Sequence, residues 1–458
     1  LATPDAPAIL GPAGTTTYAE LDGRVSAAAA RITGEGLAPG TRVALLLEKD
    51  ERYVVLLLAI LRAGCVACPI STRFPPEGVA ASLRVAGCSA LISDEDLPTA
   101  GVPVLPPDRL LEAPGAVRPQ GPLTVPPERP ATIVFTSGST GVPKAALHTF
   151  GNHHYSALGS GANIPLGPED RWLHSLPLYH VGGLSVVFRC LLAGAATVLP
   201  GPGGPLAEAI KLGGASHVSL VATQLRRLLS EDAPLGTLGA ILLGGGPVPE
   251  MLVDEALERR LPIHTSYGLT EMASQVTTTP RGAPREVLHT SGRVLPHREV
   301  MVAEDGEILV RGDTLFAGYL RSGGGVNRPL DDAGWFHTKD LGEMDEAGYL
   351  CVTGRRDNQF ISGGENVQPE EIEAALCRIR GIEQAVVVPV ADEEFGERPV
   401  AFVRSPGGQP PEDLAKALEP VLPRFKIPVA FREWPEQKGP EGMKVDRAAF
   451  LELARNFG

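Results

Sequence analysis

Hydroxyl side chains and glycines alternate over residues 136–144, and the segment closes with a proline and a lysine. Glycine permits positive φ, so successive backbone N–H groups can converge on one anion, while hydroxyls and a lysine add donors and positive charge. The segment therefore predicts a phosphate-binding loop, although the spacing G-x4-G-K-[ST] of a Walker A loop is absent. Its candidate ligands are Thr136, Ser137, Gly138, Ser139, Thr140, Gly141 and Lys144.

The elements around this loop read as alternating strands and helices. A mostly apolar run, residues 131–135, predicts a buried strand that leads into the loop. Residues 50–63 predict a buried helix, and residues 97–130, rich in proline and glycine, predict an irregular surface connection. Alternation of this kind indicates parallel α/β layers. The further strand-like runs are residues 42–47, 90–92, 197–199 and 240–243.

The composition limits the class of protein. Of the 458 residues, 43% are hydrophobic and 21% are charged, which is typical of soluble globular proteins. The net charge of −13 repels polyanions and argues against nucleic acid or an anionic membrane surface as a partner. The longest apolar window, residues 53–70, is interrupted, so we expect no stable membrane insertion. With no leader-like segment at the start, the sequence predicts a cytoplasmic protein.

The pattern changes to short strands near residue 300 and changes again after residue 354. Beyond that point, helices and strands alternate in a self-contained α+β pattern, at residues 369–377, 384–390, 399–404, 411–418 and 447–455. We therefore predict an α/β protein with a large N-terminal domain of layered subdomains, including a β-rich portion, and a small mobile C-terminal domain. The predicted boundaries are residues 1–354 for the first domain, 355–357 for a hinge and 358–458 for the second.

Several segments resemble the adenylate-forming superfamily, which includes acyl-CoA synthetases, peptide-synthetase adenylation domains and luciferases. Residues 136–144 are similar to its TSGSTGxPK signature and residues 266–271 to its YGxTE motif. Residues 335–340 resemble its ribose-binding segment, and residues 354–366 resemble its hinge motif. The match covers essentially the whole chain in the family's order. It implies an AMP-forming acid–thiol ligase that uses ATP, Mg²⁺ and CoA.

The resemblance also implies roles for individual residues. Glu271 and Thr140 would hold Mg²⁺, which offsets the charge that develops when a carboxylate attacks the α-phosphate of ATP. Asp340 would accept hydrogen bonds from both ribose hydroxyls, and Arg355 would add a ribose or phosphate contact. The family has glycine before this aspartate, whereas this sequence has Lys339. The other implied nucleotide ligands are Ser266, Tyr267, Gly268 and Thr270.

In the family the catalytic lysine lies near the C-terminus in a G-K-[VIL]-x-R context. Lys444 fits this context with one extra residue after the glycine, and Lys438 and Lys426 are the alternatives. The resemblance implies that the small domain rotates about Asp357, which withdraws Lys444 and brings a glycine loop to the site for CoA. The glycines of that loop are Gly363 and Gly364.

Finer features resemble one branch of the superfamily, the o-succinylbenzoate:CoA ligases of menaquinone biosynthesis, at residues 148–157, 176–184 and 266–278. His180 would line the acyl pocket. Arg189 is a candidate partner for the second carboxylate of such a substrate, because burying an unpaired carboxylate is costly. A position on a helix surface is the alternative for Arg189. A small-residue loop could let an aromatic ring lie close to backbone, and it consists of Gly244, Gly245 and Gly246.

The implied catalytic set is Lys444, His180, Glu271 and Thr140. Other functions stay open at this stage: another aryl- or fatty-acyl-CoA synthetase, an adenylating enzyme that loads a separate carrier protein, and an inactive nucleotide-binding relative. The expected partners are ATP, CoA and a small-molecule carboxylic acid, with a homodimer as a further option.

Overall fold

The structure of the chain is a computed structural model. It describes residues 3–95, 97, 99, 101–112, 124–136, 144–201, 203–321, 324–408, 410–435 and 446–455. Most of the predicted phosphate loop, Ser137, Gly138, Ser139, Thr140 and Gly141, lies outside the described residues, as do Lys438 and Lys444. Among the described residues, no helix is both long enough and apolar enough to cross a membrane.

Strands occur along the whole described chain. In chain order they are β1 (Pro7–Gly11), β2 (Gly14–Thr17), β3 (Arg42–Leu46), β4 (Val66–Pro69), β5 (Ala90–Ser93), β6 (Val104–Leu105), β7 (Pro130–Thr136), β8 (Lys144–Thr149), β9 (Arg171–Leu173), β10 (Ala196–Val198), β11 (His217–Leu220), β12 (Ala240–Leu243), β13 (Ile263–Leu269), β14 (Ser274–Thr278), β15 (Arg293–Val294), β16 (Glu299–Val302), β17 (Glu307–Arg311), β18 (Gly318–Leu320), β19 (Val326–Asn327), β20 (Phe336–Met344), β21 (Leu350–Arg355), β22 (Phe360–Ser362), β23 (Glu365–Val367), β24 (Gln384–Asp392), β25 (Gly396–Arg404) and β26 (Ala430–Glu433).

Helices are interspersed with these strands. In chain order they are α1 (Tyr18–Gly34), α2 (Glu51–Arg62), α3 (Pro76–Ala86), α4 (Pro107–Leu111), α5 (Phe150–Asn163), α6 (Val181–Ala193), α7 (Leu206–Leu212), α8 (Ala222–Ser230), α9 (Glu250–Glu258), α10 (Arg285–Leu288), α11 (Pro369–Cys377), α12 (Pro411–Leu418) and α13 (Arg447–Arg455).

Two large mixed sheets form the first part of the fold. One has the strand order β15-β14-β13-β12-β11-β9-β10-β1-β2, and the other has the order β19-β18-β8-β7-β4-β3-β5-β6. Pairs such as β3 with β4 and β11 with β12 are parallel, as the alternation predicts. However, β8 runs antiparallel to β7, and β14 runs antiparallel to β13. The layers are therefore not purely parallel, and both antiparallel returns follow motifs assigned to the nucleotide.

One hydrophobic core joins the two large sheets. It contains Ile9 of β1, Val43 of β3, Leu56 of α2 and Leu184 of α6, all of them buried. The helix α2 begins where it does because the Asp50 carboxylate accepts a hydrogen bond from the Tyr53 N–H at 3.1 Å, which caps the first turn. Helices packed on both sheets hold the strand ends, and the loops that follow them, in a fixed arrangement.

Two smaller sheets complete the fold. One has the order β16-β17-β20-β21, and the other has the order β23-β22-β25-β24 with β26 beside β25. In the C-terminal sheet, α11 shares a core with β24 and β25. The strand β21 of the first small sheet leads through a single 3-10 turn at Arg356–Asn358 into β22 of the second.

The sequence predicts much of this architecture, and the α/β fold class is confirmed. The predicted helices at 369–377, 411–418 and 447–455 match α11, α12 and α13 at both ends. The prediction for residues 97–130 is wrong in part, because this stretch contains β6 and α4. A proline in the first turn of a helix needs no N–H partner, so Pro107 starts α4 rather than preventing it.

Candidate active site

The acidic residue Glu271 follows directly on a buried strand. It lies in a 3-10 turn, Thr270–Met272, between β13 and β14. The turn can reverse the chain so tightly because Gly268 has no Cβ: an added Cβ would lie 2.3 Å from the carbonyl oxygen of Ser274. The main chain of this turn is fixed from β8, where Nε2 of the buried His148 lies 2.7 Å from the Thr270 carbonyl oxygen. Burial lowers the pKa of His148 to about 4, so its neutral ring donates this bond.

Lys144 and Glu271 have a common neighbour, Tyr319. Lys144, the last residue of the predicted phosphate loop and the first of β8, is exposed, and its Nζ lies 5.2 Å from the centroid of the Tyr319 ring. The Tyr319 hydroxyl donates a hydrogen bond to Oε1 of Glu271 at 2.5 Å. The strand pairing of β18 with β8, with Tyr319 opposite Ala146, places the ring there. The structure therefore brings the predicted phosphate and metal ligands to one place.

Asp340 is buried and lies between two donors. Its Oδ2 accepts a hydrogen bond from the Tyr267 hydroxyl at 2.6 Å, and its Oδ1 accepts one from Nη1 of Arg355 at 2.7 Å. The register of β20 with β21 places Arg355 directly opposite Asp340. Burial and the Asp340 carboxylate together raise the pKa of Tyr267, so its hydroxyl keeps its proton and remains a donor. Tyr267, Asp340 and Arg355, predicted from separate motifs, therefore form one cluster.

Lys339, which replaces the family's glycine, adopts the glycine-like conformation. Its φ is +64°, in the left-handed region that costs a non-glycine residue free energy. Its backbone N–H donates to Oε1 of Glu307 at 2.9 Å. Its Nζ lies 3.0 and 3.2 Å from the two carboxylate oxygens of Asp357, the predicted hinge residue.

The predicted acyl-pocket residue Arg189 is buried on α6, so the helix-surface alternative is wrong. Its Nη2 donates to Oε1 of Gln275 at 2.7 Å and to the Ser274 hydroxyl at 3.2 Å, and its Cζ lies 5.1 Å from the centroid of the Trp172 ring. No hydrogen-bond acceptor among the described residues reaches its buried Nε and Nη1. Burial lowers the pKa of Arg189, although a guanidinium stays charged at neutral pH.

A second arginine, Arg298, is buried beside the first. Its Nε donates to the main-chain oxygen of Gln275 at 2.6 Å, and its Nη1 donates to that of Pro296 at 2.6 Å. Burial and the charge of Arg189 both lower the pKa of Arg298. Within the described residues, no carboxylate forms an ion pair with either guanidinium, so this region holds uncompensated positive charge.

The remaining predicted pocket residues lie at element ends. His180 precedes the first turn of α6, and its ring centroid lies 4.8 Å from that of Tyr179. The glycines 244–246 follow β12, where Gly245 has a φ of +84° and a Cβ on Gly244 would lie 2.7 Å from the Ser266 hydroxyl oxygen. A side chain at position 244 would therefore collide with Ser266, which favours glycine there. The Ser266 hydroxyl donates a hydrogen bond to the Leu243 carbonyl oxygen at 2.8 Å.

Comparison with known proteins identifies the family. A profile of the AMP-binding enzyme family matches residues 1–320, and one of the AMP-binding enzyme C-terminal domain matches residues 371–438. The chain belongs to the AMP-binding enzyme family.

Individual relatives resemble this AMP-binding enzyme over nearly its whole length. The 2-succinylbenzoate–CoA ligase of Salmonella typhimurium is 37% identical over 428 residues, which are 93% of this chain and 90% of that protein. A structure of o-succinylbenzoate CoA synthetase from Bacillus subtilis with the acyl-adenylate intermediate has a TM-score of 0.85 at 30% identity, and the match covers 94% of this chain and 92% of that one. A structure of the same enzyme with ATP and a magnesium ion has a TM-score of 0.85 at 30% identity and covers 94% of each chain.

The AMP-binding enzyme brings several of the predicted site residues together. Lys144 lies near Glu271, and Tyr267 and Arg355 contact Asp340. Gly363 and Gly364 instead form an exposed hairpin turn between β22 and β23, with φ values of +61° and +87°. A Cβ on Gly363 would lie 2.8 Å from the Phe395 ring, so the turn packs within the C-terminal part.

Sequence reasoning missed two residues of the candidate site, Tyr319 and Arg298. It also missed the contact of Gln275 with Arg189. Gln275 lies inside a stretch that resembles the ligase branch, so its position carried a signal. Tyr319 and Arg298 lie in regions without a quoted motif, and only the folded chain brings them beside Glu271 and Arg189.

Proposed function

We propose that this chain is a 2-succinylbenzoate–CoA ligase. It activates the aromatic dicarboxylate o-succinylbenzoate with ATP and transfers the acyl group to CoA, releasing pyrophosphate and AMP. The Salmonella typhimurium relative with this name is 37% identical over 93% of the chain, and solved relatives bind the acyl-adenylate or ATP with magnesium.

The observation that best supports a dicarboxylate substrate is the buried guanidinium of Arg189. Two of its donor groups have no acceptor among the described residues, and the neighbouring Arg298 adds a second buried charge. Because a buried charge without a partner is costly, an anion is the natural complement. A guanidinium binds a carboxylate well through parallel hydrogen bonds. The carboxylate of the substrate that is not activated supplies that anion, whereas a fatty acid would not.

The residues present fit ATP and Mg²⁺. Magnesium is usually held by one or two carboxylates together with substrate phosphates and water. Glu271 offers one carboxylate, of which Oε1 accepts from Tyr319, and the described residues contain no group of three or more acidic, histidine or cysteine side chains that could hold an ion. The ion would therefore be held jointly by Glu271 and the triphosphate, with Thr140 as a predicted further ligand. When bound, it would withdraw charge from the phosphoryl oxygens.

In the first half-reaction, a carboxylate oxygen of the acid attacks the α-phosphorus of ATP. The bond from that phosphorus to the bridging oxygen breaks, and pyrophosphate leaves. We propose that Lys144 and the loop before it, Thr136 to Gly141, bind the triphosphate. We propose that Lys444 stabilises the negative charge that develops on the α-phosphate. Asp340 and Arg355 would hold the ribose, within the wall formed by Ser266, Tyr267, Gly268 and Thr270.

In the second half-reaction, the CoA thiolate attacks the acyl carbon. The carbon–oxygen bond to the phosphate breaks, AMP leaves with that oxygen, and a thioester remains. We assign the acyl pocket to His180, Arg189 and the loop Gly244, Gly245 and Gly246. We assign to CoA the exposed turn with Gly363 and Gly364, which a rotation about Asp357 would bring to the site.

This assignment uses residues 1–354 as the adenylating domain, residues 355–357 as the hinge and residues 358–458 as the mobile domain. We expect the enzyme to act in the cytoplasm, and a homodimer stays a prediction for measurement of its mass in solution.

The test is a panel of carboxylic acids assayed for pyrophosphate release and for thioester formation with CoA. We expect turnover of o-succinylbenzoate and little turnover of fatty acids or simple benzoates. In Arg189→Met, the KM for o-succinylbenzoate should rise roughly tenfold to a hundredfold, as expected for lost hydrogen bonds to a charged group, while the KM for ATP stays unchanged. Arg129→Met is the matched control, since Arg129 also faces a ring, Phe150 at 4.4 Å, outside the site.

Two results would overturn the proposal. One is efficient turnover of fatty acids without turnover of o-succinylbenzoate, which would indicate another acyl-CoA synthetase. The other is acyl-adenylate formation with transfer only to a carrier protein and not to CoA.

A further inference from the structure

Tyr319 contacts both Lys144 and Glu271. Its hydroxyl donates to Oε1 of Glu271, and its ring face lies under the ammonium group of Lys144. An aromatic face attracts a cation, and a phenolic O–H binds a carboxylate. One side chain therefore contacts two groups of opposite charge, and both were assigned above to the triphosphate and its metal.

We propose that Tyr319 is a positioning residue that orients the Glu271 carboxylate for the metal ion bound with ATP. This inference rests on the proposed function, because it assumes that Glu271 binds that ion. Tyr319 itself does not contact the metal in this assignment. It acts through Glu271, as the outer partner of a metal ligand commonly does.

The hydrogen bond selects one conformation of a flexible side chain. A free glutamate must give up rotamer freedom when it binds an ion. With Oε1 held by Tyr319, the carboxylate is already fixed, and Oε2 has no hydrogen bond or ion pair from the described residues. A phenol carries its proton at neutral pH, so the Tyr319 hydroxyl acts as the donor in this bond.

A main-chain hydrogen bond also links Glu271 to the segment that carries Tyr319. The backbone N–H of Phe316, three residues before Tyr319, donates to the Glu271 carbonyl oxygen at 2.8 Å. Gly318, directly before Tyr319, lets β19 lie close against β18, because its φ is +135° and an added Cβ would lie 2.4 Å from the Asn327 carbonyl oxygen. The segment around β18 thus holds Glu271 through both its main chain and its side chain.

The variant Tyr319→Phe removes the hydroxyl and keeps the ring under Lys144, so it isolates the hydrogen bond. The probe is Mn²⁺, which prefers oxygen ligands as Mg²⁺ does. Binding of Mn²⁺ to the whole chain with ATP is followed by the loss of the free-ion electron paramagnetic resonance signal beyond the loss that ATP alone causes, because ATP itself binds Mn²⁺. We expect about tenfold weaker Mn²⁺ binding in Tyr319→Phe, with AMP affinity and thermal stability close to those of the parent chain.

Two further variants make the result specific. Tyr349→Phe is the control, because its ring also faces a cation, Arg293 at 4.4 Å, outside the site. Glu271→Gln should weaken Mn²⁺ binding by itself, and adding Tyr319→Phe to it should cause no further loss, since the two residues act as one unit.

The proposal is overturned if Tyr319→Phe binds Mn²⁺ as the parent does while Glu271→Gln does not, or if the two losses multiply in the double variant. If Glu271→Gln also binds Mn²⁺ normally, both the role of Tyr319 and the assignment of Glu271 fail. If the parent chain shows no ATP-dependent Mn²⁺ binding, the proposed function itself fails.

Discussion

The ammonium group of Lys339 contacts both carboxylate oxygens of Asp357, at 3.0 and 3.2 Å. Neighbouring residues are also bound to the first part of the chain: Arg355 pairs with Asp340, and Arg356 pairs with Asp305 at 2.6 Å. The three residues predicted to form the hinge thus each make an ion pair with residues that precede them. A rotation about Asp357 would have to break or carry along the contact with Lys339.

We predict that Lys339→Gly leaves stability nearly unchanged but shifts the domain arrangement. Glycine removes the cost of a left-handed φ, about 1 kcal/mol or more, and the lost ion pair is half-exposed and contributes at most about 1 kcal/mol. The population ratio of the present domain arrangement to a rotated one should fall by up to about fivefold. Distances between spin labels at the exposed positions Leu212 and Val421 would measure this population.

Lys339→Asn is the informative control for this prediction, because asparagine tolerates a left-handed φ without bringing a charge. It should behave like Lys339→Gly in the distance measurement. An unchanged distance distribution in both variants would show that the contact with Asp357 does not restrain the hinge.

Tyr267→Phe tests the predicted ribose site. It removes the hydroxyl that donates to Oδ2 of Asp340, so the carboxylate loses a contact that orients it. We predict that the KM for ATP rises about tenfold, since hydrogen bonds to charged groups contribute roughly 1.5–3 kcal/mol, while the KM for the acid stays constant. Tyr18→Phe, which loses hydrogen bonds to the Cys190 and Ala195 carbonyl oxygens, should lower stability without changing the KM for ATP.

Local sequence signals predicted an element well where nearby residues alone determine its type and its start. The helix α11 begins at Pro369 and has Glu370 and Glu371 in its first turn, so both its type and its start are set by nearby residues. The elements β6 and α4 were missed because the surrounding stretch is rich in proline. The strand β6 pairs with β5, a contact that the local pattern does not reveal, and α4 begins at a proline within the stretch predicted as an irregular connection.

The same contrast holds for the candidate site. Glu271, Asp340 and Arg355 stand in recognisable motifs, and the sequence could predict that they belong together. Tyr319 reaches Glu271 only because β18 pairs with β8, a contact between segments about 170 residues apart. Arg298 reaches Gln275 through a tertiary contact of the same kind, and its burial could not be predicted from its polar neighbours His297 and Glu299.

Acid should destabilise this protein because several histidines are buried as neutral rings. Burial lowers the pKa of His148 to about 4 and that of His174 to about 3, whereas an unfolded histidine titrates near 6.5. Between pH 6.5 and 4 the unfolded chain binds more protons than the folded one, so the free energy of unfolding falls as pH falls. Each histidine contributes up to about 1.4 kcal/mol per pH unit.

Urea unfolding at pH 7.5, 6 and 5 would measure this slope. His174→Asn should reduce the number of protons taken up on unfolding by about one, and the slope should fall accordingly. His154→Asn, at an exposed position of α5, should leave the slope unchanged. An unfolding free energy that does not depend on pH in the parent chain would contradict the prediction.

The choice of catalytic lysine can be tested by separating the two half-reactions. A C-terminal lysine that stabilises the developing charge on the α-phosphate is needed when pyrophosphate leaves, but not when CoA attacks a finished acyl-adenylate. Lys444→Ala should therefore abolish pyrophosphate release and leave thioester formation from supplied acyl-adenylate largely intact. Lys426→Ala should not show this separation, since Lys426 forms an ion pair with Glu371. If Lys438→Ala shows the selective loss instead, the motif was aligned to the wrong lysine.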